Sequence, residues 1–449
     1  MNLWLLKILG WGVLMTVEKL KDSIKQEEFD DSKTTEIVKK ILHDIETGGE
    51  EKLAEYSRKL DGFGGPFLIT KDQIENAKNQ VSEQMKSDIE YAHKNVETFA
   101  KAQLQSMQEF EVELDKGLFA GQRLIPIETA GCYVPGGRYS HIASAVMSIT
   151  TAKVAGVPQV IACSPPDSNG NINPAILYTM DLCGADTILA LGGVQAIAAM
   201  AYGIGIPSSA NFLAGPGNRF VAEAKRLLFG KVGIDVFAGP SEIAIIADET
   251  ADPDLVITDL IGQAEHGLDS PVWLITTDAA LAKYVIDHMD EKIAELPELQ
   301  RQAAKASWEN FGEVVLCSTR EEAAKVSDEY AAEHLEVHAK DERFWLNTLR
   351  NYGSLFLGEE TTVAFADKCS GTNHILPTKG AAKYTGGLSV GKFLKTVTYQ
   401  RMDKQSIEDV ASITARISRL EGMEAHARTG DHRLKKYFPG KEYSTGTIN

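Results

Sequence analysis

From Leu124 onward the chain alternates short apolar runs with stretches of helical spacing, and this alternation limits the fold more than any other feature. ETAGCYV is followed by Ile142–Gly156, QVIACS by Pro174–Cys183, TILALG by Val194–Tyr202 and SANFLAG by Arg219–Phe229. A second series runs IAIIAD with Pro253–Glu265, VWLITTD with Ala279–Ala294, EVVLCS with Arg320–Glu329, then HLEV and SLFLG. Parallel strands need a crossover of a dozen or more residues, usually a helix, so the alternation predicts βαβ units on parallel sheets. Two series predict two doubly wound, Rossmann-like α/β domains.

The flanks read differently. From about Val17 to Gln108 the chain carries apolar residues at helical spacing, as in Ser32–Gly48 and Ser82–Gln108, and reads as scaffold. After Thr378 it becomes irregular and rich in Gly and Lys, then helical over about Lys404–Glu421. With 449 residues, one simple core is not enough. The expected organisation is an N-terminal arm (1–28), a discontinuous first α/β domain (29–130 plus 240–380), a second α/β domain (131–239) and a tail domain (381–449).

Composition excludes some partners. Hydrophobic residues at 43% and charged residues at 24% suit a soluble protein, and a net charge of −17 with no basic run argues against nucleic acid. The opening run MNLWLLKILGWGVLM is interrupted by Lys7 and too short to span a bilayer. No small-residue cleavage site follows it, so it reads as an extension upstream of a start at Met15, with no membrane partner. The five cysteines (Cys132, Cys163, Cys183, Cys317, Cys369) lack CxxC spacing and read as buried free thiols of a cytoplasmic protein.

Three glycine turns each follow an apolar run and precede a helix: Tyr133–Gly137, Leu191–Gln195 and Ala214–Asn218. Glycine lets the backbone turn tightly there and lets a phosphate approach a helix N-terminus. None matches GxGxxG, so a standard dinucleotide fingerprint is absent, and any one turn alone could be an ordinary βα connection. Three in succession favour a nucleotide crevice at the strand C-termini.

Four polar islands in the C-terminal half concentrate four of the ten histidines: Gln263–Gly267 (QAEHG), Glu333-His334, Asp367–His374 (DKCSGTNH) and Glu421–His426 (EGMEAH). Together they offer nitrogen and oxygen donors for one zinc-like ion and leave an acid/base pair free. Taken singly, each has a plain alternative. His266 could pack at a helix end, Asp367 could form a turn, His426 could complement a helix dipole, and Glu333-His334 could be a charged strand edge. Neighbours on a strand face opposite ways, so Glu333 and His334 share a site only if the backbone bends there.

At this point the chain resembles the histidinol dehydrogenase family. The motifs are YVPGG, LGGVQAIAA, AGPGN, GPSE, DLxxQAEHG, EHLE, SGTNHxLPT and EGxxAH, in that order, over about Val17 to Tyr437. The resemblance implies an NAD-dependent enzyme with one zinc ion per subunit that oxidises an alcohol through its aldehyde to a carboxylate, as in histidinol to histidine. It implies zinc ligands at Gln263, His266, Asp367 and His426, and a general-base pair at Glu333 and His334. It places substrate contacts at Ser241, Gln263, His266, His334, Asp367, His374, Glu421 and His426, and NAD contacts at Tyr133, Gln195 and Asn218. It also implies a homodimer in which tail residues act in trans.

Two segments depart from histidinol dehydrogenases proper: Gly131–Ile149 and GAAKYTGGLSVGKFLKTVTYQ after Thr378. Both are similar to a sulfopropanediol dehydrogenase branch, whose sulfonated substrate calls for cations. Arg138, Lys379, Lys383, Lys392 and Lys395 are the candidates, or plain surface charge. A zinc hydrolase or a non-catalytic nucleotide-binding protein is the alternative of another class. The former has no use for a cofactor crevice and the latter none for a proton-transfer pair.

Overall fold

The computed structural model describes residues 17–24, 32–136, 141–236 and 239–446. The opening apolar run and Arg138 lie outside them.

The chain begins with β1 (Glu18–Lys21), then three helices, α1 (Ser32–Leu60), α2 (Lys71–Gln80) and α3 (Glu83–Gln105), and a hairpin, β2 (Phe110–Asp115) and β3 (Leu118–Pro126). Strand–helix alternation follows: β4 (Thr129–Tyr133), α4 (Ile142–Ala145), a π-helical turn (Val146–Thr150), α5 (Thr151–Val154), β5 (Gln159–Ser164), α6 (Pro174–Leu182), β6 (Thr187–Ala190), α7 (Gly193–Tyr202), β7 (Phe212–Ala214), α8 (Arg219–Leu228) and β8 (Gly233–Ile234). The second series is β9 (Ile243–Ala247), α9 (Pro253–Ala264), β10 (Val272–Thr276), α10 (Ala279–Ala294), α11 (Glu298–Phe311), β11 (Gly312–Leu316), α12 (Arg320–Tyr330), β12 (His334–His338), α13 (Glu342–Thr348), β13 (Ser354–Leu357) and α14 (Val363–Lys368). The chain ends in β14 (Leu394–Met402), α15 (Lys404–Leu420) and α16 (Glu424–Tyr437).

The described residues fall into two compact units, one within Met1–Leu104 and Ile127–Phe393, the other within Gln105–Pro126 and Leu394–Asn449. The first unit holds two sheets. One has the order β6-β5-β4-β7-β8, all parallel. The other has the order β1-β11-β10-β9-β12-β13, parallel except for β1, which runs antiparallel on β11. Numbered along the chain without β1, both sheets follow the order 3-2-1-4-5. The order reverses beside the first strand, at β4/β7 in one sheet and β9/β12 in the other, and such reversals open a crevice.

Sequence explains these elements locally. β4, β9 and β12 are buried along their whole length, as strands covered by helices on both faces must be. Asn173 caps α6 and Asp252 caps α9, each followed by a proline whose missing N–H costs nothing at the first helical position. Helix α7 is apolar all round and is enclosed, with α1 and α8 packed on it. Helix α1 thus belongs with the five-stranded sheet, although the sequence grouped 29–130 with residues 240–380. The six-stranded sheet has one apolar layer against α9, α10, α11 and α14 and another against α12 and α13.

The second unit pairs β3 with β2 and β14 in an antiparallel sheet and packs α15 against α16. Residues Gln105–Pro126 join the tail there, and residues 381–393 stay with the first unit. The sequence missed this sheet because every residue of β2 is exposed, so FEVELD carries no core face.

Candidate active site

The expected general-base pair enters at the leading end of β12. Helix α12 ends on Ala331, which sits in the left-handed region at φ 52°. That turn supplies the bend Glu333 and His334 require: Glu333 precedes the strand and His334 opens it. Both are buried, and β12 lies between β9 and β13, so the charged-edge alternative does not hold.

Glu242, just ahead of β9, organises the pair. Its N–H donates to Glu333 Oε2 (3.0 Å), while the Glu333 N–H donates to Glu242 Oε2 (3.3 Å). The Lys379 N–H donates to Glu242 Oε1 (2.6 Å). The Glu242 carbonyl lies 2.9 Å from His334 Nδ1. A carbonyl only accepts, so Nδ1 carries the proton and Nε2 presents a lone pair. That Nε2 has no hydrogen-bond partner and lies 3.9 Å from Asp367 Oδ1. Burial holds the His334 pKa below the ordinary histidine value against the pull of Asp367, which keeps the ring neutral. Burial pushes the Glu333 carboxyl well above the usual range; the Glu242 N–H opposes this, and the Glu242 and Asp367 charges add to it.

The expected metal ligands of the first unit gather around His334. Gln263, in the last turn of α9, is buried, and its amide nitrogen lies 3.4 Å from His334 Nδ1. Both nitrogens carry hydrogens in this tautomer, so that contact is not a hydrogen bond. His266 lies three residues on, open to solvent by area yet ringed by protein, and desolvation keeps its pKa low. Asp367 on α14 is buried. Burial raises its pKa, but His374, His334, His266 and Lys368 together outweigh that and hold it low, ionised and ready to ligate. His374 Nδ1 lies 3.0 Å from the Asp367 carbonyl and its Nε2 3.1 Å from Ser144 Oγ. Ser241 is half-buried beside Glu242. An amide, an imidazole and a carboxylate next to an unpartnered imidazole nitrogen fit a zinc-like cation. Glu421 closes α15 and His426 lies in α16; both are exposed and belong to the second unit.

The expected NAD contacts lie at the trailing ends of the five-stranded sheet. Tyr133 ends β4 and its hydroxyl accepts from the Gly193 N–H (3.2 Å). Gln195 is buried and donates to Asp61 (2.9 Å), which also accepts from the Gly192 N–H (3.0 Å). Asn218 caps α8 through the Phe220 and Val221 N–H groups. Tyr133 and the Gly215–Asn218 turn flank the β4/β7 reversal, where a dinucleotide is expected. Gly215 (φ 117°) is obligatory: a Cβ there would lie 2.0 Å from the Tyr133 carbonyl oxygen. A buried pair, Lys225 and Asp235, holds both its backbone groups, at 2.9 and 2.8 Å.

The sequence reading missed Glu242, although it lies in the GPSE motif. It missed Asp61, whose partner Gln195 is 134 residues away. It also missed His141, inside the atypical Gly131–Ile149 segment. Burial, with His374, Lys368 and His266 nearby, pushes the His141 pKa down to about 4. Of the candidate cations described, Lys379 adjoins Glu242, Lys392 donates to Thr385 (2.9 Å), and Lys383 and Lys395 are exposed.

The histidinol dehydrogenase family model matches residues 24–434. The chain belongs to the histidinol dehydrogenase family. It is therefore related to oxidoreductases acting on an alcohol. It is 59% identical over 94% of its length to a histidinol dehydrogenase homolog of Pelagibacter ubique, covering 99% of that protein. It is 54% identical over 96% of its length to sulfopropanediol 3-dehydrogenase of Ruegeria pomeroyi, covering 99% of it. The crystal structure of histidinol dehydrogenase from Elizabethkingia anophelis superposes with a TM-score of 0.85 at 34% identity, covering 92% of this chain and 94% of that one. Among the described residues no helix is long and apolar enough to cross a membrane.

Proposed function

We propose that this family member carries out a four-electron, NAD-dependent oxidation of a small polar alcohol through its aldehyde to the carboxylate. The observation that carries the reading is His334, a buried, neutral imidazole whose Nδ1 is held by a carbonyl and whose Nε2 has no partner beside Asp367. Such a nitrogen is a poised general base.

Gln263, His266 and Asp367 would hold a zinc ion with His426, and zinc there supplies a Lewis acid that polarises substrate oxygen. NAD, resting at Tyr133, Gln195 and Asn218, supplies the hydride acceptor for both oxidations. His334 Nε2 takes the hydroxyl proton as hydride leaves the carbinol carbon. Glu333 takes a proton from water as its oxygen adds to the aldehyde carbon. Once ionised, a carboxylate with so raised a pKa is a stronger base than a surface glutamate. The hydrate anion so formed would give up its second hydride to a second NAD and leave the acid. His426 and Glu421 come from the partner subunit in this reading, which makes the enzyme a homodimer.

For the substrate, a sulfonated diol ranks ahead of histidinol. The support is 54% identity to sulfopropanediol 3-dehydrogenase against 34% to the histidinol dehydrogenase of known structure, with the departures around His141 and Lys379. Histidinol remains the second reading because the family model carries its name.

A panel of alcohols with NAD, read by NADH absorbance, tests both. Dihydroxypropanesulfonate should exceed histidinol in kcat/KM by about tenfold or more, and the reverse order would replace the substrate assignment. His334→Asn should lose both half-reactions, while Glu333→Gln should lose mainly aldehyde oxidation. Equal loss of the two steps in Glu333→Gln contradicts the separate roles.

A further inference from the structure

The ladder of polar residues between α9 and β12 does not stop at the catalytic pair. Alternate residues of a strand share a face, so Glu336 and His338 follow His334 along the same side of β12. On α9, Asp259 lies one turn before Gln263 and so faces the same way. Asp259, Glu336 and His338 bring their donor atoms within 4.8 Å of one another. Glu336 is 0% exposed and His338 is 2% exposed.

The hydrogen bonds of this cluster leave one donor atom on each residue aimed inward. Glu336 Oε1 accepts from the Val363 N–H (2.7 Å), while its Oε2 has no hydrogen-bond partner. Asp259 Oδ1 accepts from Thr362 Oγ1 (3.0 Å), and its Oδ2 faces His338 Nε2 at 3.6 Å. His338 Nε2 is 3.4 Å from Glu336 Oε2, and neither ring nitrogen makes a hydrogen bond. These separations are long for hydrogen bonds but suit a shared cation. Two donors each about 2.0–2.1 Å from a tetrahedral zinc stand roughly 3.4 Å apart.

Charge points the same way. Among the described residues no Lys or Arg side chain pairs with Asp259 or Glu336. One buried and one half-buried carboxylate and a buried imidazole therefore lack a compensating positive charge beyond the ring itself, and buried charges ordinarily find a partner or a metal. Burial and the neighbouring Glu336 push the Asp259 carboxyl up to about 7, and burial lowers the His338 pKa less than Glu336 and Asp259 raise it.

We propose that Asp259, Glu336 and His338 form a second metal site, which binds a divalent first-row cation such as zinc, cobalt or manganese through one nitrogen and two carboxylate oxygens. The site is separate from the family's ligand set and does not depend on it. Its role is to brace: the same carboxylates hold the start of α14, so the cation ties together α9, β12 and α14, the elements that carry Gln263, His334 and Asp367.

Metal content of the full-length protein tests this. Protein stripped with a chelator, reloaded with cobalt and freed of excess should hold two ions per chain by elemental analysis. His338→Gln should hold one, and so should His266→Ala, because each removes a different ion. A His338→Gln content equal to wild type overturns the proposal and leaves a proton-sharing polar cluster, whereas a His266→Ala content equal to wild type counts against the family's ligand set instead. Should His338→Gln fail to fold by circular dichroism, anomalous scattering from cobalt-loaded wild-type crystals decides. A peak within bonding distance of His338 Nε2 supports the site, and none there overturns it.

Discussion

Burial fixes the chemistry of single residues here. It pushes the Cys132, Cys183 and Cys317 thiols up to about 12, and Cys163 well above the ordinary thiol value. A raised thiol pKa means almost no thiolate at pH 8, and thiolate is the reactive form. Native protein treated with iodoacetamide at pH 8 should therefore be alkylated at Cys369 alone, the one partly exposed cysteine. Denatured protein should be alkylated at all five, as read by mass spectrometry. Gly215→Ala should destabilise the fold by about 2 kcal/mol or more, seen as a lower urea midpoint, because a Cβ would meet the Tyr133 carbonyl. His266, His334, His374 and the glycine turns stood out in the sequence, since those residue types are chosen for chemistry or for backbone freedom, whereas His141 did not. Glu242 was not, because its role consists of bonds to a residue 91 positions away. Glu336 lies in the HLEV run and His338 directly follows it, and only the pairing of β12 between β9 and β13 shows that both are buried.

At the scale of elements, alternation of apolar runs located nine of the eleven strands in the two sheets of the first unit, and missed β1, which is largely exposed, and β8, two half-buried residues. Boundaries followed local chemistry. Helix α1 runs on to Leu60, past the expected end at Gly48, through a break at Gly49 (φ 59°). The π-helical turn at Val146–Thr150 was not legible. Its Met147 carbonyl accepts from the Asn373 side chain (3.1 Å), a partner on another loop. The turn after β7 depends on the buried Lys225–Asp235 pair, whose side chains are 4% and 0% exposed. Lys225→Met strands the Asp235 charge and should cost about 3–5 kcal/mol in urea unfolding. Adding Asp235→Asn should recover part of that loss, because asparagine keeps an acceptor for the Gly215 N–H. No recovery in the double variant would mean the lysine acts through packing alone.

For the whole molecule, assembly is the property the sequence carried only through its family likeness. Helix α15 presents Ile413, Ile417 and Leu420 at helical spacing, 47%, 51% and 89% exposed, next to Glu421. An apolar stripe of this kind is what a subunit interface covers. If His426 serves the partner's site, two inactive variants should repair one another. His334→Asn and His426→Ala chains, denatured together in equal amounts and refolded, should regain about a quarter of wild-type activity. Half of the dimers are then mixed, and each mixed dimer holds one intact site. Recovery no greater than that of the separate variants would place His426 in its own chain's site.

The parallel strands of the two sheets share one order, but the proposed sites lie at opposite ends: trailing ends in the five-stranded sheet, the leading end of β12 in the six-stranded one. Dinucleotide preference and substrate range can on that layout drift independently during divergence. An engineer could retarget the turns after β4, β6 and β7 toward a phosphorylated coenzyme without disturbing the proton-handling machinery. New alcohols could equally be accommodated by editing residues around His141 and Lys379, leaving the redox half as it stands.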